Sequence, residues 1–280
     1  MTVAQMDGDF DGRTVVITGG TGGIGWRCAT LFAARGAQVV ACGHDPEELA
    51  HAGAVAPARV YVRAMDVRDE ASIAGFFEAD PLLQGAGIDA LVNCAGIQRL
   101  GTVEQTSLET WNAVLAVNLT GTFLSCKYAL PLLRRRGGGA IVNVSSIHAR
   151  VTGGARAAYV ASKSAVLGLS RAMALDHGPE NIRVNTILPG AIDTPMLTTA
   201  WKTLRPDRTE EQMRTLIGEA HPIGRIGTPH DVAAAIVFLC SPDAAFMTGV
   251  EIAIDGGITN KLALPVTRPP GAGHMGGDGP

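Results

Sequence analysis

Tyr159 and Lys163 are four residues apart in a segment, 157–177, whose apolar residues repeat with helical spacing. On a helix this spacing places both side chains on one face, about one turn apart. An ammonium group beside a phenol favours the phenolate, so we expect the pKa of Tyr159 to lie below its ordinary value of about 10. Tyr159 is then a candidate general acid for carbonyl reduction and a base for alcohol oxidation. Taken alone, such a pair is more often a solvated pair on a helix.

A glycine-rich turn follows the first apolar run and reads TGGTGGIG from Thr18 to Gly25. Gly19 permits the tight turn, Gly23 lets a pyrophosphate approach the backbone, and Gly25 lets the next helix pack closely. The turn lacks the Gly-Lys-Ser/Thr sequence of a P-loop, and this absence disfavours hydrolysis of a nucleoside triphosphate. Its position between a buried strand and an amphipathic helix predicts dinucleotide binding.

Seven short runs rich in β-branched residues alternate with helical patterns. The predicted strands are 14–18, 38–42, 60–65, 88–94, 140–145, 182–188 and 250–254. The predicted helices with the clearest patterns are 23–35, 107–136, 157–177 and 231–239. Nearly continuous hydrophobic strands indicate a parallel sheet that is covered on both faces. The fold class is therefore α/β, a Rossmann-like doubly wound sheet of seven parallel strands with helices on both faces. We predict one domain over 1–264 and a Pro/Gly-rich, mobile tail over 265–280.

Composition excludes several other classes. The net charge is −3 and the longest basic run is Arg134–Arg136, so nucleic acid is not an expected partner. The five cysteines are scattered, as in a protein of a reducing compartment, and we expect a cytoplasmic location. Residues 1–11 lack the apolar region of a signal peptide and no run of 18 apolar residues occurs, so no membrane association is expected. His274 has no ligand partner nearby, and we predict no metal site.

Further motifs follow in order along the chain from about Phe10 to Asn260. They are Gly19-x-x-x-Gly23-x-Gly25, Asp66-Val67, Asn93-Cys94-Ala95-Gly96, Asn118-Leu119-Thr120-Gly121, Ser145-Ser146, Tyr159-Val160-Ala161-Ser162-Lys163, Pro189-Gly190 with Thr194, and Asp255-Gly256-Gly257. Together they resemble the single-domain branch of the short-chain dehydrogenase/reductase family. Cys94 departs from the family, which usually has a second Asn there, and we expect little damage to that turn.

The resemblance assigns roles to four catalytic residues. Ser146 would hold the substrate oxygen, with Ser145 as the alternative. Tyr159 would be the general acid/base. Lys163 would also bind the nicotinamide ribose hydroxyls. Asn118 would hold a water that links Lys163 to solvent. The alternative interpretation of Asn118 is a residue that marks a helix kink.

The resemblance also implies an NAD(P) site. Asp66 would accept a hydrogen bond from the adenine amino group, with Val67 beside the ring; the alternative for Asp66 is a helix cap. Pro189, Gly190, Ile192 and Thr194 would surround the nicotinamide. The other cofactor-binding residues implied are Gly19, Thr21, Gly23, Ile24, Gly25, His44, Asn93, Ala95, Gly96, Tyr159 and Lys163.

The choice of coenzyme depends on the end of the second strand. Gly43 stands where an NAD-preferring enzyme usually has an acid, and His44 can donate to a phosphate, more strongly when protonated. Gly22 offers no base, and Asp45 either repels a phosphate or caps the next helix. The balance favours NADP(H), with NAD(H) usable.

The substrate side is less specific, and the expected substrate is a small or mid-sized ketone or the matching alcohol. The family has its substrate lid at 195–222, which carries Met196 and Trp201. Gln98, Arg99, His148, Arg150 and Val151 would flank the mouth, where His148 and Arg150 either meet a carboxylate or phosphate or are solvated loop residues. The Tyr-M-x-x-x-K spacing of related enoyl reductases is absent, which favours carbonyl/alcohol chemistry.

Two further expectations concern activity and assembly. The alternative to an enzyme is a catalytically idle NAD(P)-binding sensor or subunit, but such a chain usually loses Tyr, Lys or Ser. We predict a homotetramer or homodimer because the two long helices carry apolar residues beyond one stripe. These residues are Phe123, Leu124, Tyr128, Leu132, Val166, Leu169 and Met173.

Overall fold

The chain forms one seven-stranded parallel sheet. The computed structural model describes residues 9–85 and 87–261, so the predicted tail, 265–280, lies outside the described residues. The strands are Thr14–Thr18 (β1), Gln38–Gly43 (β2), Val60–Ala64 (β3), Ala90–Asn93 (β4), Gly139–Val144 (β5), Ile182–Pro189 (β6) and Glu251–Ile254 (β7). Their order in the sheet is β3-β2-β1-β4-β5-β6-β7. The order reverses between β1 and β4, and such a reversal opens a crevice at the carboxyl ends of the strands.

Helices cover both faces of the sheet. They are Gly23–Ala34 (α1), Pro46–Val55 (α2), Glu70–Ala79 (α3), Pro81–Gln84 (α4), Leu108–Leu115 (α5), Gly121–Arg136 (α6), Ala157–His177 (α7), Pro195–Leu204 (α8), Glu210–Ala220 (α9) and Pro229–Cys240 (α10). Helix α1 packs beside α10 on one face, while α3, α6 and α7 cover the other. The α/β class and the seven parallel strands predicted from the sequence are confirmed.

Local signals explain where the elements begin. Asp45 accepts hydrogen bonds from the backbone N–H groups of Glu47 and Glu48, at 3.0 and 2.9 Å, and so caps α2. The capping alternative for Asp45 is therefore the observed one. Strand β4 is shorter than predicted because Ile88 donates its N–H to the Leu132 carbonyl in α6 instead of joining the ladder.

The long helix predicted over 107–136 is interrupted. Ser107 caps α5 by accepting from Thr110 N–H at 3.1 Å. A π-helical turn, Ala116–Thr120, then separates α5 from α6, and it contains Asn118. Single π turns inside helices are frequent at functional sites because they redirect one side chain.

The stretch Leu108–Arg136 is long and apolar enough to cross a membrane by length and composition alone, with a mean hydropathy of 1.3 over 18 residues. It covers one face of the sheet, and Leu124, Ala129 and Leu133 are buried there. The buried side chains of this stretch pack on the sheet, as those of a core helix do.

The same packing corrects part of the expected oligomer surface. Leu124, Leu132, Val166 and Met173 are buried within the chain itself and are not free for a subunit contact. Phe123 is exposed on α6. The helical pattern showed an apolar surplus, but it could not distinguish a wide core-facing stripe from an exposed one.

Candidate active site

The candidate site lies where the carboxyl ends of β1, β4, β5 and β6 meet. Thr18 ends β1 and leads into the glycine turn, while Asn93 ends β4 and leads into the turn to Gly96. Ser145 and Ser146 follow β5 directly. Parallel strands bring these separate segments to one edge of the sheet.

Close packing at Gly19 and Gly25, and the backbone conformation at Gly19 and Gly23, call for glycine in this turn. Gly19 has φ +61°, and a β carbon there would lie 2.7 Å from the Ala95 backbone nitrogen. A β carbon at Gly25 would overlap the Gly19 carbonyl oxygen. Gly23 has φ +51° and faces the Thr194 methyl group, 3.4 Å from the position of a β carbon. Glycine is therefore required here to let α1 begin against the turn with its amide groups free.

Tyr159, Ser146 and Lys163 are all buried at this edge, with 8%, 5% and 4% of their surface exposed. The Lys163 ammonium group donates to the Val144 carbonyl at 2.8 Å, and its Nζ lies 5.9 Å from the centre of the Tyr159 ring. The Ser145 hydroxyl donates to the Lys163 carbonyl at 2.7 Å. Ser145 therefore ties β5 to α7, and Ser146 is the serine left for a substrate.

The expected lowering of the Tyr159 pKa is wrong for the structure described. Burial raises the pKa of the phenol above its ordinary value, and the Ser146 hydroxyl and the Arg156 charge offset this only in part. Lys163 does not reverse the shift, because burial lowers its own pKa to about 8 and its ammonium group is bonded to Val144. Sequence spacing gave the proximity of the two groups but not their shared burial.

Asn118 connects the π turn to its surroundings. Its Oδ1 accepts from Ile97 N–H at 2.8 Å, and its Nδ2 donates to the Ile97 carbonyl at 2.9 Å and to the Ser162 hydroxyl at 3.0 Å. Gly96 lies between Asn118 and Lys163, because a β carbon there would lie 3.5 Å from Asn118 Oδ1 and 3.2 Å from Lys163 Nζ. The structure thus brings Asn118 and Lys163 to the same small volume.

On the adenosine side, the Asp66 carboxylate is bonded to Arg68, with its shortest contact at 2.6 Å to Nη2. Asp69, not Asp66, caps α3. Val67 is buried against Gly121. The Asp66 carboxylate keeps a pKa below its ordinary value because of Arg68.

The end of β2 has no space for the acid that NAD-preferring enzymes place there. A β carbon at Gly43 would lie 2.6 Å from the Thr21 side chain, and His44 is exposed beside it. The Thr21 hydroxyl donates to Glu48 Oε2 at 3.0 Å. The first turn of α2 therefore supplies a carboxylate to the glycine turn, which sequence reasoning did not identify.

The β4 turn forms despite Cys94. Cys94 N–H donates to the Thr18 carbonyl at 3.1 Å and Ala95 N–H to the Thr18 hydroxyl at 3.3 Å. The Asn93 side chain points inward, where it donates to Asn143 Oδ1 at 2.8 Å. The Asn93 side chain therefore supports the turn from inside the sheet and does not face a coenzyme, contrary to its predicted role.

The loop after β6 closes the other side of the site. Pro189, the last residue of β6, and Ile192 are buried, and the Thr194 hydroxyl donates to the Ile192 carbonyl at 3.2 Å. Arg214 from α9 forms a bidentate pair with Asp193 at 2.6 and 2.7 Å. This ion pair fixes the predicted lid segment to the loop. The sequence alone did not show that Asp193 and Arg214 would pair.

A groove of about 530 Å³ adjoins these residues. Its walls are Gly96, Ile97, Gln98, Arg99, Leu100, Met196, Thr199, Ala200 and Thr203. Gln98 and Met196 therefore lie where the sequence predicted. Trp201 does not line the groove; it is buried, with the Arg214 guanidinium 5.9 Å from its ring.

Of the predicted mouth residues His148 and Arg150, only His148 lies at the site. Its ring stands edge-on to the Tyr159 ring, with centres 6.2 Å apart. Arg150 is paired with Glu251 of β7 at 2.7 Å, which commits it to a structural contact. The charge of Arg156, a residue that sequence reasoning missed, lowers the pKa of both Tyr159 and His148, although burial of the phenol leaves the pKa of Tyr159 raised.

Thiol chemistry and metal binding find less support than chemistry at Tyr159. The five cysteines are free thiols, and four of them are buried. Burial raises the pKa of Cys126 and of Cys240 to about 12, so these thiols are inert near neutral pH. Over residues 9–85 and 87–261, no group of three His, Cys, Asp or Glu side chains could hold a metal ion.

The residues present fit a dinucleotide. The glycine turn is open at Gly22, where the nearest atom to the position of a β carbon is Glu48 Oε2 at 4.0 Å, and α1 begins there with no side chain that caps its first amide groups. Lys163 and Thr194 lie on the side of this turn expected for the nicotinamide half, and Asp66 and His44 on the side expected for the adenosine half.

A family model described as enoyl-(acyl carrier protein) reductase matches residues 19–259. D-threitol dehydrogenase of Mycolicibacterium smegmatis is 40% identical over 269 residues, which are 93% of this chain and 100% of that protein. A short-chain type dehydrogenase/reductase from Mycobacterium ulcerans superposes with a TM-score of 0.80 at 32% identity, over 90% of this chain and 91% of that one. The chain belongs to the short-chain dehydrogenase/reductase family.

Other relatives in the family agree in chemistry. Meso-2,3-butanediol dehydrogenase of Serratia marcescens is 36% identical and covers 91% of this chain and 98% of that protein. The levodione reductase structure superposes with a TM-score of 0.85 at 33% identity, over 90% of this chain and 100% of that one. The chain is an NAD(P)-dependent oxidoreductase that acts on CH–OH groups, and the idle alternative finds no support in these relatives.

Proposed function

We propose that this protein interconverts a small secondary alcohol and its ketone, with Tyr159 as the general acid/base. The observation that carries the proposal is the burial of Tyr159, Ser146 and Lys163 together beside the glycine turn. Bound NAD(P) supplies the acceptor or donor of the hydride. In oxidation, the hydroxyl proton of the substrate passes to Tyr159 Oη while the carbinol carbon gives up its hydride.

The neighbouring residues have separate tasks in this proposal. The Ser146 hydroxyl holds the substrate oxygen and stabilises the charge that develops on it. Lys163 binds ribose hydroxyls, and Asn118 positions the path by which a proton passes to solvent. Because burial raises the pKa of Tyr159, the rate of oxidation should rise with pH into the alkaline range, while the rate of reduction should fall there.

For the coenzyme, we propose a preference for NADP(H) that arises from Gly43 and His44 and is limited by Glu48. Gly43 removes the acid that would repel a 2′-phosphate, and the exposed His44 can donate to it. The Glu48 carboxylate at Thr21 opposes a phosphate. Asp45 does neither, because it caps α2.

Substitutions of Glu48 and His44 test this balance without reference to turnover. Glu48→Gln should tighten NADPH binding by about tenfold, His44→Ala should weaken it severalfold, and NADH binding should change little in either variant. Coenzyme fluorescence on titration gives the dissociation constants. Glu47→Gln is the control for a lost charge on the same helix. A wild-type preference for NAD(H) of a hundredfold, about 2.7 kcal/mol, would contradict the proposal and identify Glu48 as a ribose ligand.

We also propose a homodimer or homotetramer in the cytoplasm. Val103, Leu108 and Phe123 leave apolar surface exposed near α5 and α6, and a second copy of the chain is the proposed partner. The free cysteines support a reducing compartment. Light scattering at micromolar concentration should give two or four times the chain mass of 29.0 kDa, and a particle of one chain mass would contradict the assembly.

A further inference from the structure

Arg214 of α9 connects three elements beside the candidate active site. Its guanidinium pairs with both Asp193 oxygens, at 2.6 and 2.7 Å, and bonds Glu210 on its own helix at 3.1 Å. The same group lies 5.9 Å from the centre of the Trp201 ring on α8. Over the part of the chain that the structure describes, the Arg214–Asp193 pair is the only ion pair that connects α8 or α9 to another element.

Asp193 belongs to the loop on the nicotinamide side of the site. Its N–H donates to the Gly227 carbonyl at 2.8 Å, so the backbone is held in place and its carboxylate is left for Arg214. The next residue, Thr194, lies over the glycine turn, because a β carbon at Gly23 would be 3.4 Å from the Thr194 methyl group. The pair therefore ties α9 to a loop that faces the glycine turn directly.

Helix α8 forms one wall of the groove and is held from its other side. The residues of α8 that line the groove are three or four positions apart and share one face; they are Met196, Thr199, Ala200 and Thr203. Trp201 lies off this face and is buried, with the Arg214 guanidinium beside its ring. The position of Arg214 therefore bears both on the groove wall and on the loop that carries Thr194.

The Arg214–Asp193 pair is exposed enough to open. The two side chains are 38% and 42% exposed, and exposed ion pairs are weak and screened by salt. Arg214 holds the pKa of the Asp193 carboxyl below its ordinary value, so both partners are charged at neutral pH. Such a pair can hold a segment closed and still break at modest cost when a ligand enters or leaves.

We propose that Arg214 is a positioning residue for the coenzyme. Its pair with Asp193 keeps the lid segment, 195–222, against the loop after β6, and the pair breaks when the coenzyme leaves. Loss of the pair raises the population of the open lid, so the coenzyme should dissociate faster and bind less tightly. The inference rests on the coenzyme site of the proposed function and does not depend on which alcohol is oxidised.

The rate of coenzyme release tests the inference on the complete protein. Wild type loaded with NADH or NADPH is mixed with an excess of the oxidised coenzyme, and the loss of coenzyme fluorescence gives the dissociation rate. Arg214→Gln should speed release about fivefold, and Arg214→Lys, which keeps the charge but not the bidentate fit, should speed it less. The difference from wild type should narrow at about 1 M salt, where the pair is screened. Release rates equal within about twofold at low salt would overturn the inference.

Arg205→Gln is the matched control for the loss of an Arg–Asp pair. Arg205 forms a bidentate pair with Asp207 at 2.9 and 2.8 Å, but both residues belong to the lid segment itself. Release from this variant should stay within about twofold of wild type, as it should from Glu210→Gln, which removes the other partner of Arg214. An equal acceleration in Arg205→Gln would show a general effect of charge or order in the segment and would count against Arg214.

A double-mutant cycle tests whether Arg214 and Asp193 act as a pair. Asp193→Asn removes a negative charge, which by itself should favour an anionic coenzyme, yet we expect it to speed release about as much as Arg214→Gln. The double variant should release coenzyme no faster than either single variant, because the interaction is already lost. Independent, additive effects would contradict a shared role, and thermal melts check that each variant is folded.

These measurements keep the inference distinct from the proposed function, because no alcohol is present. Coenzyme binding with unchanged release in Arg214→Gln would defeat this inference alone. Release that depends on Arg214, without turnover of any alcohol, would defeat the proposed function and leave the role of Arg214 in place.

Discussion

Replacing Tyr159 by phenylalanine is expected to abolish turnover while the coenzyme still binds. The substitution removes the phenolic hydroxyl but keeps the ring, which is buried beside His148 and Lys163. A positioned general acid/base contributes about 10²–10⁴ to the rate, so a loss of that size is expected in kcat. The reaction is followed by the absorbance of the reduced nicotinamide, and coenzyme affinity by fluorescence.

Tyr61→Phe is the matched control for Tyr159→Phe. Tyr61 lies on β3, away from the carboxyl edge of β5, so its hydroxyl should be dispensable. Retention of more than about a tenth of wild-type kcat in Tyr159→Phe, an effect below about 1.4 kcal/mol, would refute the role of Tyr159. A parallel loss of coenzyme binding would show that the substitution had disturbed the site as a whole.

Gly25→Ala should weaken coenzyme binding by at least about a hundredfold, or about 2.7 kcal/mol. A methyl group at Gly25 overlaps the Gly19 carbonyl oxygen, so α1 and the glycine turn must move apart. That movement misaligns the amide groups that bind the pyrophosphate. Dissociation constants for NADH and NADPH, with a thermal melt for each variant, give the measurement.

Gly22→Ala offers a control within the same turn. Gly22 has an extended backbone, with φ −151°, and the nearest atom to a β carbon there is Glu48 Oε2 at 4.0 Å. Coenzyme binding should therefore stay within about threefold of wild type. If both alanine variants bind equally well, close packing of the turn is not what forms the site.

The sequence was sufficient for the sheet, for the glycine turn and for the grouping of Ser146, Tyr159 and Lys163 at one edge of the sheet. Strands such as 14–18 are apolar throughout because both faces of a parallel sheet are covered, and this pattern is local. The carboxyl ends of parallel strands share one edge, so the order of motifs along the chain was enough to place Ser146 near the glycine turn.

Pairings between distant residues could not be predicted in the same way. Nothing in the local sequence distinguishes Arg150 from Arg156. In the structure, Arg150 forms an ion pair with Glu251, which is 101 residues away, and Arg156 does not. Trp201 carries the apolar character expected of a pocket residue, yet it is buried with Arg214 beside its ring. The Tyr159 pKa likewise depends on burial, which residue spacing does not encode.

The central claim, hydride transfer from a secondary alcohol with Tyr159 as the base, can be tested by isotope transfer. The wild-type enzyme is incubated with a panel of secondary alcohols deuterated at the carbinol carbon and with each oxidised coenzyme, and the reduced coenzyme is analysed by mass spectrometry. We expect one deuterium in the reduced nicotinamide for at least one alcohol, at a rate that rises with pH, and no label with Tyr159→Phe. Coenzyme that binds but stays oxidised across the panel, or equal labelling by Tyr159→Phe, would contradict the account.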